Sequence, residues 1–240
     1  MIEKKIQSRI SDSSQKSAPK VGMIVLSTDY TCERDFSRLA HSSALDFDLY
    51  VNRIHFDNPM TEQSLSAMLK DLGPMAADIL PGCTLDAIVF NCTSASAIMG
   101  DTAVNEAIAL SKPDTPVLTT AGASVAQLLQ AGCNKVSLLT PYSAQVSRRL
   151  VSYFENRGLD VLSLGYMGIA DDRDVAHLGS QSIIAAAREA VVPDAQALFI
   201  SCTATRAVEI LPQIEQAVGL PVYSSNYCSF WQTMRSIKLA

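Results

Sequence analysis

Apolar and polar positions along this chain fall into blocks of two kinds. Short runs with little polar interruption predict strands buried on both faces: Val21–Ser27 (VGMIVLS), Leu85–Asn91 (LDAIVFN), Lys135–Thr140 (KVSLLT) and Ala195–Ser201 (AQALFIS). Further strand runs lie within Phe47–Phe56 and Leu159–Tyr166, and at Pro116–Thr119 and Pro221–Ser224. Between them the apolar positions recur at helical spacing. This predicts helices over Thr61–Leu80, Ser96–Leu110, Gly122–Gly132, Ser143–Arg157, Ser180–Ala190, Ala204–Val218 and Tyr227–Ile237. Thr61 stands where an N-cap belongs, Gly132 and Gly158 end their helices, and Pro212 interrupts or delays the sixth. Alternating strands and helices imply parallel sheets and an α/β fold.

The order of elements then repeats. Val21–Ser27 parallels Val136–Thr140, Asp86–Ala95 parallels Ala195–Ala204, and Thr115-Pro116-Val117 parallels Leu220-Pro221-Val222. Three matches in the same order predict two copies of one αβ unit. The expected architecture is two Rossmann-like lobes with parallel sheets, related by pseudo-two-fold symmetry, with the active site in the cleft between them. Residues 1–20 read as a flexible tail, 21–120 as the N-terminal lobe and 121–240 as the C-terminal lobe. The closing helix, 226–237, is free to pack back onto the first lobe.

Composition narrows the function. The chain has 240 residues, 48% hydrophobic and 18% charged, which is globular rather than disordered. With 19 Lys and Arg against 24 Asp and Glu, the net charge of −5 and the lack of a basic cluster argue against nucleic-acid binding. No apolar run approaches the roughly 20 residues that span a bilayer. Lys4 and Lys5 are followed by no apolar segment, so no secretory signal is read and a cytoplasmic location is expected. The six cysteines make no CxxC pair and only three histidines occur, so neither a metal site nor a disulfide framework is expected.

Two of those cysteines repeat. Cys92-Thr93 and Cys202-Thr203 each lie just past a buried strand and just before a predicted helix, where open α/β sheets bind ligands. Free N–H groups at such helix starts favour a thiolate, so both thiols are expected to have a depressed pKa. Thr93, Ser94 and Thr203 add hydroxyl and N–H donors for a carboxylate. Thiols on opposite faces of one carbon can exchange protons across it, or one can add to a double bond while the other donates a proton. Cys83, Cys133 and Cys228 read as packing residues, and Cys32 as a residue near the pocket. Asp29, Glu33 and Asp35 suit a helix start, and Asp171–Asp174 a solvated turn or pocket edge. Gly100-Asp101 reads as a kink or surface feature. Arg206, one turn beyond Cys202, faces either the pocket or solvent. His41, His55 and His177 show no catalytic spacing.

The turns Asn91-Cys92-Thr93-Ser94-Ala95-Ser96 and Ser201-Cys202-Thr203-Ala204 resemble those of the aspartate/glutamate racemase superfamily, over about Val21 to Ile237. Within it the chain is most similar to the maleate isomerase and arylmalonate decarboxylase group. Leu26–Tyr30, Glu33–Phe36, Thr140-Pro141-Tyr142, Asp171–Asp174 and Leu198–Ala204 point further, to its ectoine-utilisation (EutA) branch. The resemblance implies a nucleophilic Cys92, an acid/base Cys202, and substrate contacts from Asp29, Thr93, Ser94, Tyr142, Asp172, Thr203 and Ala204, with no cofactor. Asp29 stands where the isomerases have a carboxylate-binding Asn, which favours an amino-acid-like ligand over maleate. Arylmalonate decarboxylases have Gly at the first cysteine position, whereas this chain has both thiols.

These readings give a cofactor-independent isomerase or racemase of a small carboxylic or amino acid, in ectoine or hydroxyectoine breakdown. The alternatives are an arylmalonate-type decarboxylase and a non-catalytic ligand-binding protein. The resemblance also implies a homo-oligomer, dimer or tetramer.

Overall fold

Each apolar run becomes a parallel strand, and the runs sort into two separate sheets. The computed structural model describes residues 1–7 and 18–240. Much of the expected tail, residues 8–17, lies outside the described residues, and residues 1–7 have no regular structure. The first lobe runs β1 (Lys20–Leu26), α1 (Cys32–Ser43), β2 (Asp48–Ile54), α2 (Glu62–Ala67), α3 (Leu72–Ala77), β3 (Ala87–Phe90), α4 (Thr93–Met99), α5 (Asp101–Ala109) and β4 (Val117–Thr119). After α6 (Thr120–Gln130) come β5 (Lys135–Thr140), α7 (Ala144–Glu155), β6 (Asp160–Tyr166), α8 (Asp172–Val175), α9 (Ser180–Ala190), β7 (Ala197–Ile200), α10 (Leu211–Val218), β8 (Val222–Ser224) and α11 (Ser225–Ser236). The sheet orders are β2-β1-β3-β4 and β6-β5-β7-β8, the same topology twice. All described pairings are parallel.

The central strands are covered on both faces: all four residues of β3 and all four of β7 are buried. Gly22 lets β1 lie close to β3, because a Cβ there would meet Ile88 Cγ1 at 2.6 Å. The helix after each fourth strand covers a neighbouring sheet. On α6, Ala121, Val125 and Leu128 pack with Val136, Leu138 and Phe199 of β5 and β7. On α11, Phe230 and Met234 pack with Val21, Met23, Val25 and Phe36 of β1 and α1. A third cluster joins the lobes at their strand ends, with Leu26, Phe90, Cys92, Tyr142, Val146, Val175 and Cys202 together.

Three predicted helices are shorter than expected. Thr61–Leu80 divides into α2, a 3₁₀ turn at Met68–Asp71 and α3, which carries Gly73 and Pro74. Ser96–Leu110 belongs to two helices that begin at Thr93 and break at Gly100, whose φ of 82° favours glycine. The third helix, Ala204–Val218, forms only from Leu211, with Pro212 in its first turn. Asp171–Asp174, expected as a solvated turn or a pocket edge, caps and enters the short helix α8.

Candidate active site

The carboxyl ends of the four inner strands converge, and each delivers one side chain two residues past its strand. These are Thr28 after β1, Cys92 after β3, Tyr142 after β5 and Cys202 after β7. Cys92 is 4% exposed, Cys202 5% and Tyr142 1%, so the three are shut off from bulk solvent. They act on one another electrostatically: Cys92 opposes ionisation of Cys202, and both thiols oppose that of Tyr142. Cys92 Sγ lies 3.7 Å from Ser94 Oγ and meets the backbone N–H of Ala95. Cys202 meets the N–H of Ala204, and the Tyr142 hydroxyl lies 3.1 Å from Ser201 Oγ.

Asp172 reaches the thiols from α8. Its Oδ1 lies 4.0 Å from Cys202 Sγ, and Thr28 donates to its Oδ2 at 2.6 Å. The first lobe holds it there, because Asn58 Oδ1 accepts the Asp172 N–H at 2.9 Å and Asn58 Nδ2 donates to Asp171 at 3.0 Å.

The expectation of easily ionised thiols is overturned. Burial pushes the Cys92 thiol up to about 12, with the charges of Asp172 and Asp29 adding to it. Burial and Asp172 likewise hold Cys202 well above the usual thiol range. The N–H groups of Ala95 and Ala204 pull the other way but are outweighed. With both thiols held well above neutral pH, the resting pair is thiol and thiol. Cys202 also lacks the expected helix start: turns follow it, and its φ is 82°. Burial also pushes the Asp172 carboxyl up, to about 6.

The other predicted contact residues divide. Ser94, Tyr142, Asp172 and the backbone of Ala204 stand beside the thiols. Asp29, Thr93 and Thr203 spend their polar groups inside the protein. Asp29 Oδ1 accepts the N–H groups of Thr31 and Cys32, each at 2.8 Å. Its Oδ2 accepts the Thr203 hydroxyl at 3.1 Å and the Cys32 thiol at 2.9 Å. The Thr93 hydroxyl donates to Ser225 Oγ at 2.7 Å.

Sequence reasoning missed the brace behind both turns. Asn226, at the start of α11, accepts from Asn91 at 3.1 Å and donates to the Thr203 carbonyl and to Asp35, each at 2.8 Å. It therefore joins the residue before Cys92 to the residue after Cys202. Its position in Ser224-Ser225-Asn226, matching Thr119-Thr120-Ala121 in the first repeat, was the available signal. Asp35 is wholly buried rather than a surface dipole partner, and its Oδ1 lacks a hydrogen-bond partner. Gly100-Asp101 marks the break between α4 and α5 as expected, and the half-buried Asp101 accepts from Thr119, Tyr153 and Arg157. Arg206 turns away from the thiols to pair with Glu209 at 2.7 Å. Among the described residues no group of His, Cys, Asp and Glu could hold a metal ion, and no helix is long and apolar enough to cross a membrane.

The family model for arylmalonate decarboxylase matches residues 57–240, which include both cysteine turns, Tyr142, Asp172 and Asn226. The chain belongs to the arylmalonate decarboxylase family. The relatives that the chain resembles include maleate isomerases and an arylmalonate decarboxylase. A maleate isomerase of Nocardia farcinica is 25% identical over 92% of this chain and 90% of its own length. An arylmalonate decarboxylase of Bordetella bronchiseptica is 27% identical over 50% of this chain and 51% of its own. The two-sheet fold matches a solved structure of the Nocardia farcinica maleate cis-trans isomerase, a mutant with a covalently bound succinylcysteine intermediate. That match has a TM-score of 0.84 at 23% identity, over 92% of this chain and 93% of the other.

Proposed function

We propose that this protein is a cofactor-independent isomerase or racemase of a small carboxylic or amino acid, working with Cys92 and Cys202. The observation that carries this reading is that equivalent thiols from the two repeats are buried in one cluster, close enough that Cys92 opposes ionisation of Cys202. A second functional thiol is what distinguishes proton exchange across a centre from decarboxylation, which needs one acid.

In the racemase form, one cysteine as thiolate takes the proton from the carbon next to the carboxylate. The opposite thiol then returns a proton to the other face, leaving the pair exchanged. In the isomerase form, the Cys92 thiolate adds to one carbon of a cis double bond and Cys202 protonates the other. The new single bond rotates, Cys202 takes its proton back, and the C–S bond breaks. Covalent chemistry of this type is named for the Nocardia farcinica relative. Both forms need one thiol to lose its proton before turnover, since the resting pair is fully protonated. Ser94, Tyr142 and the N–H groups of Ala95 and Ala204 are the neutral donors that would hold the substrate carboxylate. The motifs around Asp29 and Asp171–Asp174 support a place in ectoine or hydroxyectoine breakdown.

Proton NMR in D₂O tests the reading, using maleate, D- and L-aspartate, D- and L-diaminobutyrate and phenylmalonate. Wild type should show deuterium exchange or cis–trans conversion that C92S and C202S both abolish. Loss of carbon dioxide from phenylmalonate that depends on Cys202 alone would move the chain to the decarboxylases.

A further inference from the structure

We infer that the substrate of this site carries a cationic nitrogen as well as its carboxylate, and that Asp172 receives that nitrogen. The inference rests on the two-thiol reading above and names its substrate class.

The charges around the thiols are negative. Asp172 and Asp29 both oppose thiolate formation at Cys92, and Asp172 does so at Cys202. The nearby cations are committed elsewhere. Arg173 pairs with Asp171, Arg53 with Glu33 and the Asp29 carbonyl, and Arg206 with Glu209. Asp29 is also committed, since four donors from Thr31, Cys32 and Thr203 saturate its two oxygens. Asp172 is different. It is only 4% exposed, and Thr28 occupies one oxygen. The other oxygen has only the Cys202 thiol, at the 4.0 Å outer limit of a sulfur contact. A buried carboxylate oxygen thus stands open beside the reacting groups, and a buried anion is tolerated when a cation pairs with it.

A dicarboxylate would set its second anion against Asp172. A molecule with one carboxylate and one ammonium or amidinium group meets neutral donors at one end and Asp172 at the other. The bound cation would also offset the charge of Asp172, which adds to burial in keeping both thiols protonated, so binding itself would favour the thiolate that turnover needs.

The test is calorimetric binding at pH 8 of L- and D-2,4-diaminobutyrate, maleate and fumarate, to wild type and to C92S/C202S. Binding to the cysteine variant requires no chemistry, so this result stands apart from the turnover assay. At least one diaminobutyrate should bind tenfold or more tightly than either dianion. D172N should erase that preference by weakening the cation and strengthening maleate, and D172S should act in the same direction. The preference in wild type decides the matter even where a variant fails to fold. Equal or tighter binding of a dianion by wild type, or no binding of either diaminobutyrate, overturns the inference. A diaminobutyrate preference without cysteine-dependent exchange would leave it standing and remove the isomerase reading.

Discussion

The two cysteine turns begin from nearly the same sequence and end in different backbones. Cys92 has φ −144° and leads straight into α4, whose N–H of Ala95 points back at the sulfur. Cys202 has φ 82°, a left-handed conformation in which a residue with a Cβ is strained. No α-helix follows it until Leu211, and its turn is held by outside groups. The Thr31 hydroxyl and Asn226 Nδ2 both donate to the Thr203 carbonyl, and Thr28 and Asn58 fix Asp172 beside the sulfur. The first turn is thus a local product of its own helix. The second is a tertiary product, strained and clamped by Thr28, Thr31 and Asn58 of the other repeat together with Asn226 of α11. The repeat thus presents two thiols in unlike environments.

The largest expected effect tests whether both thiols are needed. C92A and C202A should each lower kcat by about 10³-fold or more, since each removes a group that carries a proton or a bond. C92G separates the rival chemistry: a decarboxylase would tolerate it, whereas the two-thiol enzyme should be as inactive as with C92A. Steady-state kinetics on whichever acid exchanges deuterium gives the comparison.

The same contrast explains what could be read from the sequence. The first turn was legible because strand, cysteine and helix are contiguous. The repeat pattern also placed Cys202 correctly at a strand end. The missing helix after Cys202 was not legible, because Ala204, Ala207 and Ile210 keep helical spacing where the chain forms turns and then a 3₁₀ turn at Val208–Ile210. Only Pro212 hinted at the late start. The thiol environment misled for a related reason. Helix N–H groups are visible in sequence, whereas burial and the approach of Asp172, which is 30 residues from Cys202, are not. Asp29 was marked as a ligand contact, and nothing local reveals that its partner Thr203 lies 174 residues away.

A smaller effect should follow from loosening the clamp. N226A removes the bridge between Asn91 and Thr203 and leaves several buried groups without partners. It should lower kcat by about ten- to a hundredfold, with a smaller change in KM, because the turn that carries Cys202 is displaced rather than the groups that bind substrate. Stability should fall by about 1–3 kcal/mol, measured by urea unfolding. A uniform loss in both turns would show as equal slowing of thiol alkylation at Cys92 and Cys202. The clamp instead predicts that the rate at Cys202 changes more.

Asp35, behind that clamp, gives a pH signature. Burial raises its carboxyl from the ordinary 3.8 to about 6, against the hydrogen bond from Asn226. The folded chain therefore keeps a proton that the unfolded chain releases as pH rises between those values. Stability should fall across that window and level off above it, by on the order of 3 kcal/mol for this group. Asp172 contributes a fall of the same sign. D35N should flatten part of the slope in urea midpoints measured at pH 4.5 and pH 7. An unchanged slope would mean that the brace does not carry its charge in the way the burial requires.

The smallest effect comes from the charged residue nearest the second cysteine in sequence. Arg206 shares Glu209 with Arg34 and Arg38, on a partly exposed surface where ion pairs contribute little. If it steered anions to Cys202, R206A would raise KM for the carboxylate and make the loss depend on salt. Since its guanidinium is committed to Glu209, R206A should instead leave kcat/KM within about twofold and stability within about 0.5 kcal/mol. The two remaining arginines keep Glu209 paired. A salt-dependent rise in KM would mean that Arg206 leaves Glu209 when substrate binds, and would bring a cation to thiols whose charged neighbours here are the acids Asp172 and Asp29.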